Sequence, residues 1–262
     1  MRNLLEVHGL TKSFGGVVAN RDVSFTLEEG LIVGLIGPNG AGKSTMFNML
    51  SAVFPPTTGE IKYKGQRIEK MSSYKVCELG ISRTFQNLQV FKNMSVLENV
   101  MVGHHSRTKS GMLAAALRFP SAKKEEKIIL EAAMEQIKFV GLEDLYDVNA
   151  GSLPLGKLRL LELARALATK PELLLLDEIA AGLNHIETLE MSELIKRIRN
   201  KGISIFVVEH DMDLVMGICD KIIVLDQGMK IAEGTPKEIQ NNEKVIAAYL
   251  GEEAEEKVEV TG

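Results

Sequence analysis

The chain has 262 residues, of which 45% are hydrophobic and 25% charged, proportions that suit one large globular domain or two small ones. Its net charge of −4 lacks the basic excess that nucleic-acid binding usually requires, so no nucleic-acid partner is expected. Apolar runs are far shorter than the ~18 residues of a membrane-spanning helix, and the first residues carry no signal-peptide pattern, so we expect a cytoplasmic protein.

In chain order, the first predicted elements are strands. The segments Leu4–Val7, Val23–Leu27 and Ile61–Tyr63, the last followed by the turn Lys64-Gly65, resemble hairpin strands and predict an antiparallel β flank. Short apolar strands then alternate with helical periodicity, which is typical of a parallel sheet covered by helices. These parallel strands are expected at Leu31–Ile36, Leu173–Leu176, Ile203–Val208 and Ile222–Leu225.

The middle of the chain, from about Val96 to Ala168, is dominated by helix-forming residues and indicates an inserted helical subdomain. Residues 122–139 predict a charged helix. Its apolar stripe is expected at Ile128, Ile129, Ala132, Ala133, Gln136 and Val140. We therefore predict one α/β domain over residues 1–250, with the core and β flank at 1–85 and 169–250 and the helical subdomain at 86–168. Residues 251–262 are acidic and predict a disordered tail.

A phosphate-binding loop is predicted at residues 37–45, which read GPNGAGKST and match G-x-x-x-x-G-K-[ST]. An apolar strand leads into the loop and a helix is expected from Thr45, the order that the mechanism requires. Glycines allow backbone N–H groups to converge on phosphate oxygens, Lys43 would reach the β and γ phosphates, and the Ser44 hydroxyl would bind Mg²⁺. The expected ATP contacts are Gly37, Pro38, Asn39, Gly40, Ala41, Gly42, Lys43, Ser44 and Thr45.

A second element of the phosphate site is predicted where the apolar run LLLLDE, residues 173–178, ends in two carboxylates. A strand buried on both faces would place Asp177 at its carboxyl end, where open parallel sheets bind ligands. Asp177 would hold hydrated Mg²⁺, and Glu178 could deprotonate the attacking water as a general base. Taken alone, the pair also fits a solvated strand end or a helix cap.

With these motifs in this order, the sequence resembles the ATP-binding-cassette (ABC) family of ATPases over residues 4–250. The resemblance implies a P-loop NTPase fold: a RecA-like α/β core with an antiparallel β flank and an inserted helical subdomain. It identifies Gln86, after a strand expected at Ile81–Phe85, as the Q-loop glutamine, with roles in Mg²⁺ or water contact and in coupling to a permease. His210, after the strand that ends at Val208, matches the switch histidine that contacts the γ-phosphate.

Phe14 stands where the family places an aromatic residue that stacks on adenine. As a single phenylalanine it would also fit the core of the first hairpin. Asn184 follows Glu178 in the D-loop, the segment through which two cassettes contact each other in the family. Asn184 replaces the usual aspartate, and Ile179 replaces the proline usually found after the catalytic glutamate.

The family's signature motif is the main departure. It usually reads Leu-Ser-Gly-Gly-Gln, but the corresponding residues here are Leu153, Pro154, Leu155, Gly156 and Lys157. Pro154 supplies neither the serine hydroxyl nor a backbone N–H. The following helix matches the family closely, so its N-terminus can still direct backbone donors at a phosphate. The departure concerns the composite site that the signature completes in a partner, not nucleotide binding by this chain.

The stretches LPLGK, DEIAAGLN, ISRTFQN and GHHSRTKSGMLAAALRFPSAKKEE resemble those of ATPase subunits of branched-chain amino-acid importers. Urea and short-amide importers have similar ATPases, and the solute never touches this subunit. The resemblance implies ATP and Mg²⁺ as cofactors and a nucleotide-sandwich dimer with a sister ATPase subunit or a second copy. It also implies two membrane permease subunits, an external solute-binding protein reached through them, and a peripheral position on the inner face of the cell membrane.

Three other classes share part of this pattern. A P-loop GTPase or kinase shares GPNGAGKST, but the nearest candidate for a GTPase base-reading motif, Thr169-Lys170-Pro171-Glu172, has no aspartate. A soluble cassette ATPase of DNA repair or translation predicts long heptad arms or two cassettes in one chain, which this sequence does not contain. A cassette subunit of another transporter, such as an exporter or a lipid-moving complex, is opposed only by the subfamily resemblance.

Overall fold

The computed structural model describes residues 2–86, 88–104 and 120–249, which form two β-sheets and a set of helices. The strands are Asn3–Phe14 (β1), Val17–Glu28 (β2), Ile32–Ile36 (β3), Thr58–Tyr63 (β4), Gln66–Arg67 (β5), Ile81–Arg83 (β6), Leu173–Asp177 (β7), Ser204–Val208 (β8), Lys221–Asp226 (β9) and Met229–Gly234 (β10). The helices are Lys43–Leu50 (α1), Ser73–Glu78 (α2), Val96–His104 (α3), Pro120–Val140 (α4), Leu155–Ala168 (α5), His185–Asn200 (α6), Met212–Ile218 (α7) and Pro236–Gln240 (α8). Residues 243–249 are also helical, and no helix in these ranges is long and apolar enough to cross a membrane.

The larger sheet has the strand order β10-β9-β3-β8-β7-β6. Strands β9, β3, β8 and β7 are parallel, as predicted. At one edge β6 is parallel to β7, and at the other β10 is antiparallel to β9; the sequence pattern predicted neither pairing. The strand expected at Ile81–Phe85 ends at Arg83. The carboxyl ends of β3, β7 and β8 lie side by side, so the loops that follow them meet at one edge of the sheet.

Two hydrophobic cores lie on opposite faces of this sheet because successive residues of a strand point to opposite sides. Leu174 faces the core formed with α3, α4, α5, α6 and α7, whereas Leu175 faces the core shared with α1 and the second sheet. The latter core is centred on Phe206, whose ring lies 5.2 Å from Phe47 of α1 and 5.6 Å from Phe25 of β2. Burial on both faces explains why these strands are continuous apolar runs.

The second sheet, with the order β2-β1-β4-β5, is antiparallel and confirms the predicted β flank. Lys64 and Gly65 form the turn between β4 and β5 with left-handed backbone angles, φ 51° and 80°. Strands β1 and β2 have 12 residues each, far more than the segments predicted for them. Their pairing is irregular beyond Val7, so the alternation that identifies a strand is interrupted while the strand continues.

The helical subdomain consists of α3, α4 and α5, whose apolar faces share one core. Part of the stripe predicted on α4 is wrong: Ile128 is exposed, and Ile137, which the prediction omitted, is buried with Ala133 and Val140. Residues 133, 137 and 140 share one helix face, whereas residue 128 lies about 140° away from residue 133 around the axis. The predicted acidic tail at 251–262 and most of the link after Gly103 lie outside the described residues.

Candidate functional site

A cleft of about 330 Å³ opens where the loops after β3, β7 and β8 meet. The phosphate-binding loop forms one wall, and side chains from three other segments face it. The lining residues are Ala19, Asn39, Gly40, Ala41, Gly42, Lys43, Ser44, Thr45, Gln86, Glu178 and His210. Most of the side chains predicted to contact the phosphates and the attacking water therefore share one cavity.

The glycines of the phosphate-binding loop are required by the neighbouring strands as well as by the loop itself. Gly42 has φ 96° and precedes α1, and a Cβ atom there would lie 2.4 Å from the carbonyl oxygen of Ala19. At Gly37, with φ 151°, a Cβ atom would lie 2.0 Å from the carbonyl oxygen of Leu225. The loop is thus held tightly between β2 and β9, and the first turn of α1 lies at the cleft. The helix begins at Lys43, two residues before its predicted start.

Lys43 is buried, and its ammonium group curls back onto the loop. Its Nζ donates hydrogen bonds to the carbonyl oxygens of Gly37 at 2.6 Å and Pro38 at 2.8 Å. A positive charge at the inner wall of the loop joins the positive end of the α1 dipole. The loop therefore offers a cation and a row of backbone donors to an anion, as a phosphate chain requires.

Asp177, at the end of β7, is buried and uses only one of its carboxylate oxygens. Oδ2 lies 2.7 Å from Nη2 of Arg83, while Oδ1 has no hydrogen-bond partner among the described residues. A buried carboxylate oxygen left over in this way fits a cation ligand, and the Ser44 hydroxyl and Gln86 amide are further oxygen donors of the kind Mg²⁺ prefers. The described residues contain no group of three or more His, Cys, Asp or Glu that could hold a metal. The donor set therefore fits Mg²⁺ bound mainly through phosphate and water, not a protein-enclosed metal ion.

Glu178 lies at the centre of the site. Its Oε1 lies 2.7 Å from Nε2 of His210, and its Oε2 accepts a hydrogen bond of 2.8 Å from Nε2 of Gln86. Of the three residues predicted to be catalytic, Glu178 therefore contacts both of the others. Glu178 has φ 51°, an uncommon backbone conformation for a non-glycine residue, and its N–H donates to the carbonyl oxygen of Val208 at 2.9 Å. Ile179, the departure noted after the glutamate, is fully buried in the core beneath.

Phe14 lies at the end of β1 with 47% of its surface exposed, so the alternative that it belongs to the core of the hairpin is wrong. Its ring packs edge-to-face against Phe54, with centroids 5.3 Å apart, and the Lys12 ammonium lies 5.0 Å from the Phe14 centroid and 4.7 Å from that of Phe54. Phe14 is not among the residues that line the cleft, and its role in stacking on adenine stays a prediction.

The signature segment forms the N-terminus of α5, away from this cleft. Pro154 is the N-cap residue and makes no side-chain capping bond, Leu153 is buried, and Leu155 is 39% exposed. A Cβ atom at Gly156 would lie 2.4 Å from Oε1 of Glu187 on α6. Among the described residues that line the cleft, none comes from the signature, so its action on a partner's nucleotide stays a prediction.

Asn184 has a structural role that the sequence analysis did not consider. Its side chain accepts hydrogen bonds from the N–H groups of Ile186 and Glu187, and the Glu187 carboxylate accepts one from the N–H of Asn184. This reciprocal arrangement is a capping box that begins α6. Asn184 is also exposed, so a dimer contact at this position stays a prediction.

Comparison with known proteins agrees with this geometry. The model of the family described as ABC transporter matches residues 20–181. The chain belongs to the ABC transporter family. As a member, it is an ATP-binding cassette with ATPase activity. A second model, described as branched-chain amino acid ATP-binding cassette transporter, matches residues 229–255.

Similar proteins cover nearly the whole cassette. It is 44% identical to the high-affinity branched-chain amino acid transport ATP-binding protein LivG of Escherichia coli K12, over 95% of this chain and 98% of that protein. It is 42% identical to the corresponding BraF protein of Pseudomonas aeruginosa, over 96% and 99%. A crystal structure of the ADP conformation of an ATP-binding cassette of an ABC transporter superposes with a TM-score of 0.84 at 31% identity, covering 96% of this chain and 100% of the other.

Two residues of the cassette site were not identified from the sequence. Arg83 lies between the rings of Phe47 and Phe85, 5.7 and 4.9 Å from their centroids, and reaches Asp177. A charged residue at the end of a short, largely buried strand was the available signal. Glu209 is buried, accepts a 2.8 Å hydrogen bond from the N–H of Ala180, and has its pKa raised to about 7 chiefly by burial.

Proposed function

We propose that this chain binds ATP with Mg²⁺ and hydrolyses it to power the import of branched-chain amino acids. The observation that carries the hydrolytic part is the position of Glu178, held between His210 and Gln86 at the mouth of the phosphate-binding loop. The solute class is supported by the names of the relatives and by the match of residues 229–255 to the branched-chain family model.

In this proposal the chain's own residues divide the work between binding and water activation. The loop at residues 37–45 and the Lys43 ammonium bind the β and γ phosphates. Glu178 takes a proton from the attacking water, and Gln86 and His210 hold its two oxygens so that one lone pair is directed at that water. Asp177, Ser44 and Gln86 would hold Mg²⁺ together with phosphate oxygens, and the bound ion would supply positive charge to neutralise the phosphates.

The proposed assembly follows the family resemblance. The cassette domain comprises residues 1–250, with residues 86–168 as its helical subdomain, and pairs with a sister ATPase or a second copy. Each composite site combines one chain's GPNGAGKST with the other chain's signature, and Phe14 stacks on adenine. The pair acts on two permease subunits at the inner face of the membrane, and an external binding protein delivers the solute. ATP favours the closed dimer and hydrolysis reopens it, because a ligand shifts an equilibrium toward the state it binds better.

Replacing Glu178 by glutamine tests the hydrolytic part. The variant should bind ATP like the parent, lose turnover by about 10²- to 10⁴-fold, and accumulate as an ATP-bound dimer, because the amide cannot accept the proton. Glu193→Gln, which removes an exposed carboxylate paired with Lys196 on α6, is the control and should keep the parent rate. Parent turnover in Glu178→Gln would refute the assignment of the base.

The solute class is tested by purifying the chain with its native permease subunits and reconstituting the complex in liposomes with the external binding protein. ATP-dependent uptake of leucine, isoleucine and valine is expected. Uptake of urea or short amides in their place, or transport outward, would overturn the proposed solute class and leave the hydrolytic mechanism untouched.

A further inference from the structure

Two oppositely charged side chains lie buried on one face of helix α5. Arg159 and Glu162 are only 4% and 5% exposed, and Nη1 of Arg159 lies 3.4 Å from Oε2 of Glu162. Removing such a pair from water is costly, and the cost is recovered only where the remaining donors and acceptors find partners. Those partners therefore reveal what the pair holds.

The partners are backbone groups of two segments that bear catalytic residues. Oε1 of Glu162 accepts a 3.0 Å hydrogen bond from the N–H of Phe85. Both Nη atoms of Arg159 donate to the carbonyl oxygen of Gln86 at 3.3 Å, and Nη2 also donates to the carbonyl oxygen of Ala181 at 3.4 Å. The pair is thus hydrogen-bonded to the backbone of Phe85 and Gln86 and to that of Ala181, three residues after Glu178.

These backbone contacts restrain Gln86, whose side-chain amide donates a hydrogen bond to Glu178. We propose that Arg159 and Glu162 form a positioning clamp that sets the Gln86 amide against Glu178 and so links the orientation of α5 to the hydrolytic step. The same helix begins at the signature, next to Pro154. A shift of the signature end of α5 is therefore passed directly to the catalytic glutamine. This inference rests on the proposed roles of Glu178 and the signature.

The test replaces the whole pair in the full chain by apolar residues, Arg159→Met with Glu162→Leu, because removing one partner alone would leave a buried unpaired charge. The double variant should unfold at nearly the parent temperature and keep its KM for ATP within about threefold. Its kcat should fall by about 10- to 100-fold, the cost of a small misplacement of a positioning group. Arg159→Lys, which retains the charge and part of the donor set, should recover part of the rate.

A second background separates positioning from general stability. With Gln86→Ala already present, the clamp has no amide left to position, so the double variant should cause no further loss of kcat. The matched control is Glu69→Gln on the β flank, which alters another buried carboxylate that accepts a backbone N–H, from Ile61, and pairs with an arginine, Arg67. It should leave kcat unchanged.

A parent rate in the double variant, or an equal loss with and without Gln86→Ala, would overturn the clamp. If the double variant does not fold, the same two criteria are applied to Arg159→Gln with Glu162→Gln, which leaves no buried charge but cannot bond the carbonyl oxygens of Gln86 and Ala181 together. Failure of the underlying mechanism is seen separately, because Glu178→Gln would then retain turnover whatever the clamp variants do.

Discussion

Nη2 of Arg83 lies 2.7 Å from Oδ2 of Asp177, and both side chains are buried. The other terminal nitrogen of Arg83 donates hydrogen bonds to two side chains at the end of α1. These are Asn48, in the last turn, at 2.7 Å and Ser51, just after the helix, at 2.9 Å. Arg83 thus ties the strand-end carboxylate to the helix of the phosphate-binding loop. One oxygen of Asp177 is fixed by this contact, and the other has no hydrogen-bond partner among the described residues.

Arg83→Met should lower the free energy of unfolding by about 3 to 5 kcal/mol, because it leaves the Asp177 carboxylate buried without its partner. Adding Asp177→Asn should recover part of the loss, since the unpaired charge is then removed. Urea unfolding of the single and double variants measures both effects. Arg67→Met, which removes an exposed arginine paired with Glu60 and Glu69, is the control and should lower the free energy of unfolding less than Arg83→Met does. Purely additive losses in the double variant would contradict the coupling.

Lys43→Ala should weaken ATP binding by about 10- to 100-fold, because a charge-assisted hydrogen bond in a buried setting contributes roughly 1.5 to 3 kcal/mol. Nucleotide titration followed by fluorescence or calorimetry measures the change. Circular dichroism checks that the loop survives, since Lys43 also bonds to the carbonyls of Gly37 and Pro38. Lys196→Ala on α6, away from the cleft, is the control. Unchanged ATP affinity in Lys43→Ala would refute the assignment of the phosphate site.

Glu209 predicts a specific pH dependence of stability. Burial raises its pKa from 4.5 to about 7, so the folded chain keeps a proton that the unfolded chain releases. The stability from this group is complete below about pH 4.5 and is lost as the pH rises through about 7. Relative to Glu209→Gln, the parent should therefore lose about 2 to 3 kcal/mol of unfolding free energy across this window. Urea unfolding of both proteins from pH 4.5 to 8 tests this, and a difference that does not change with pH would disprove it.

The departure from the usual signature is tested by Pro154→Ser with Leu155→Gly in the proposed dimer with a sister ATPase. A serine at the N-cap position can also cap α5, which Pro154 does not. In the Glu178→Gln background the site of this chain is inactive, so only the partner's site can turn over. If the signature acts in trans, the double substitution should change the rate of hydrolysis in this background. It should stay nearly constant when only the site of this chain is active. A change confined to the second background would refute the trans assignment, and no change in either would show that backbone donors already suffice.

The phosphate-binding loop and the strand-end carboxylates could be predicted because their chemistry depends on neighbours in the sequence. The glycine spacing determines where the backbone can approach a phosphate, and the apolar run before Asp177 predicts a strand buried on both faces. The parallel core and the antiparallel flank followed from the same local periodicity. The full length of β1 did not, because its irregular pairing hides the alternation that identifies a strand.

By itself, then, the sequence determined most strands of the parallel sheet and many of the residues that line the cleft. Only the tertiary structure decided how the polar groups pair: Arg83 with Asp177 across 94 residues, and Glu162 with the Phe85 backbone across 77. The physical reason is that such pairs depend on the register of neighbouring strands and on which helix face is buried. Desolvation makes these pairings decisive, since a buried charge must find its partner wherever the fold brings one.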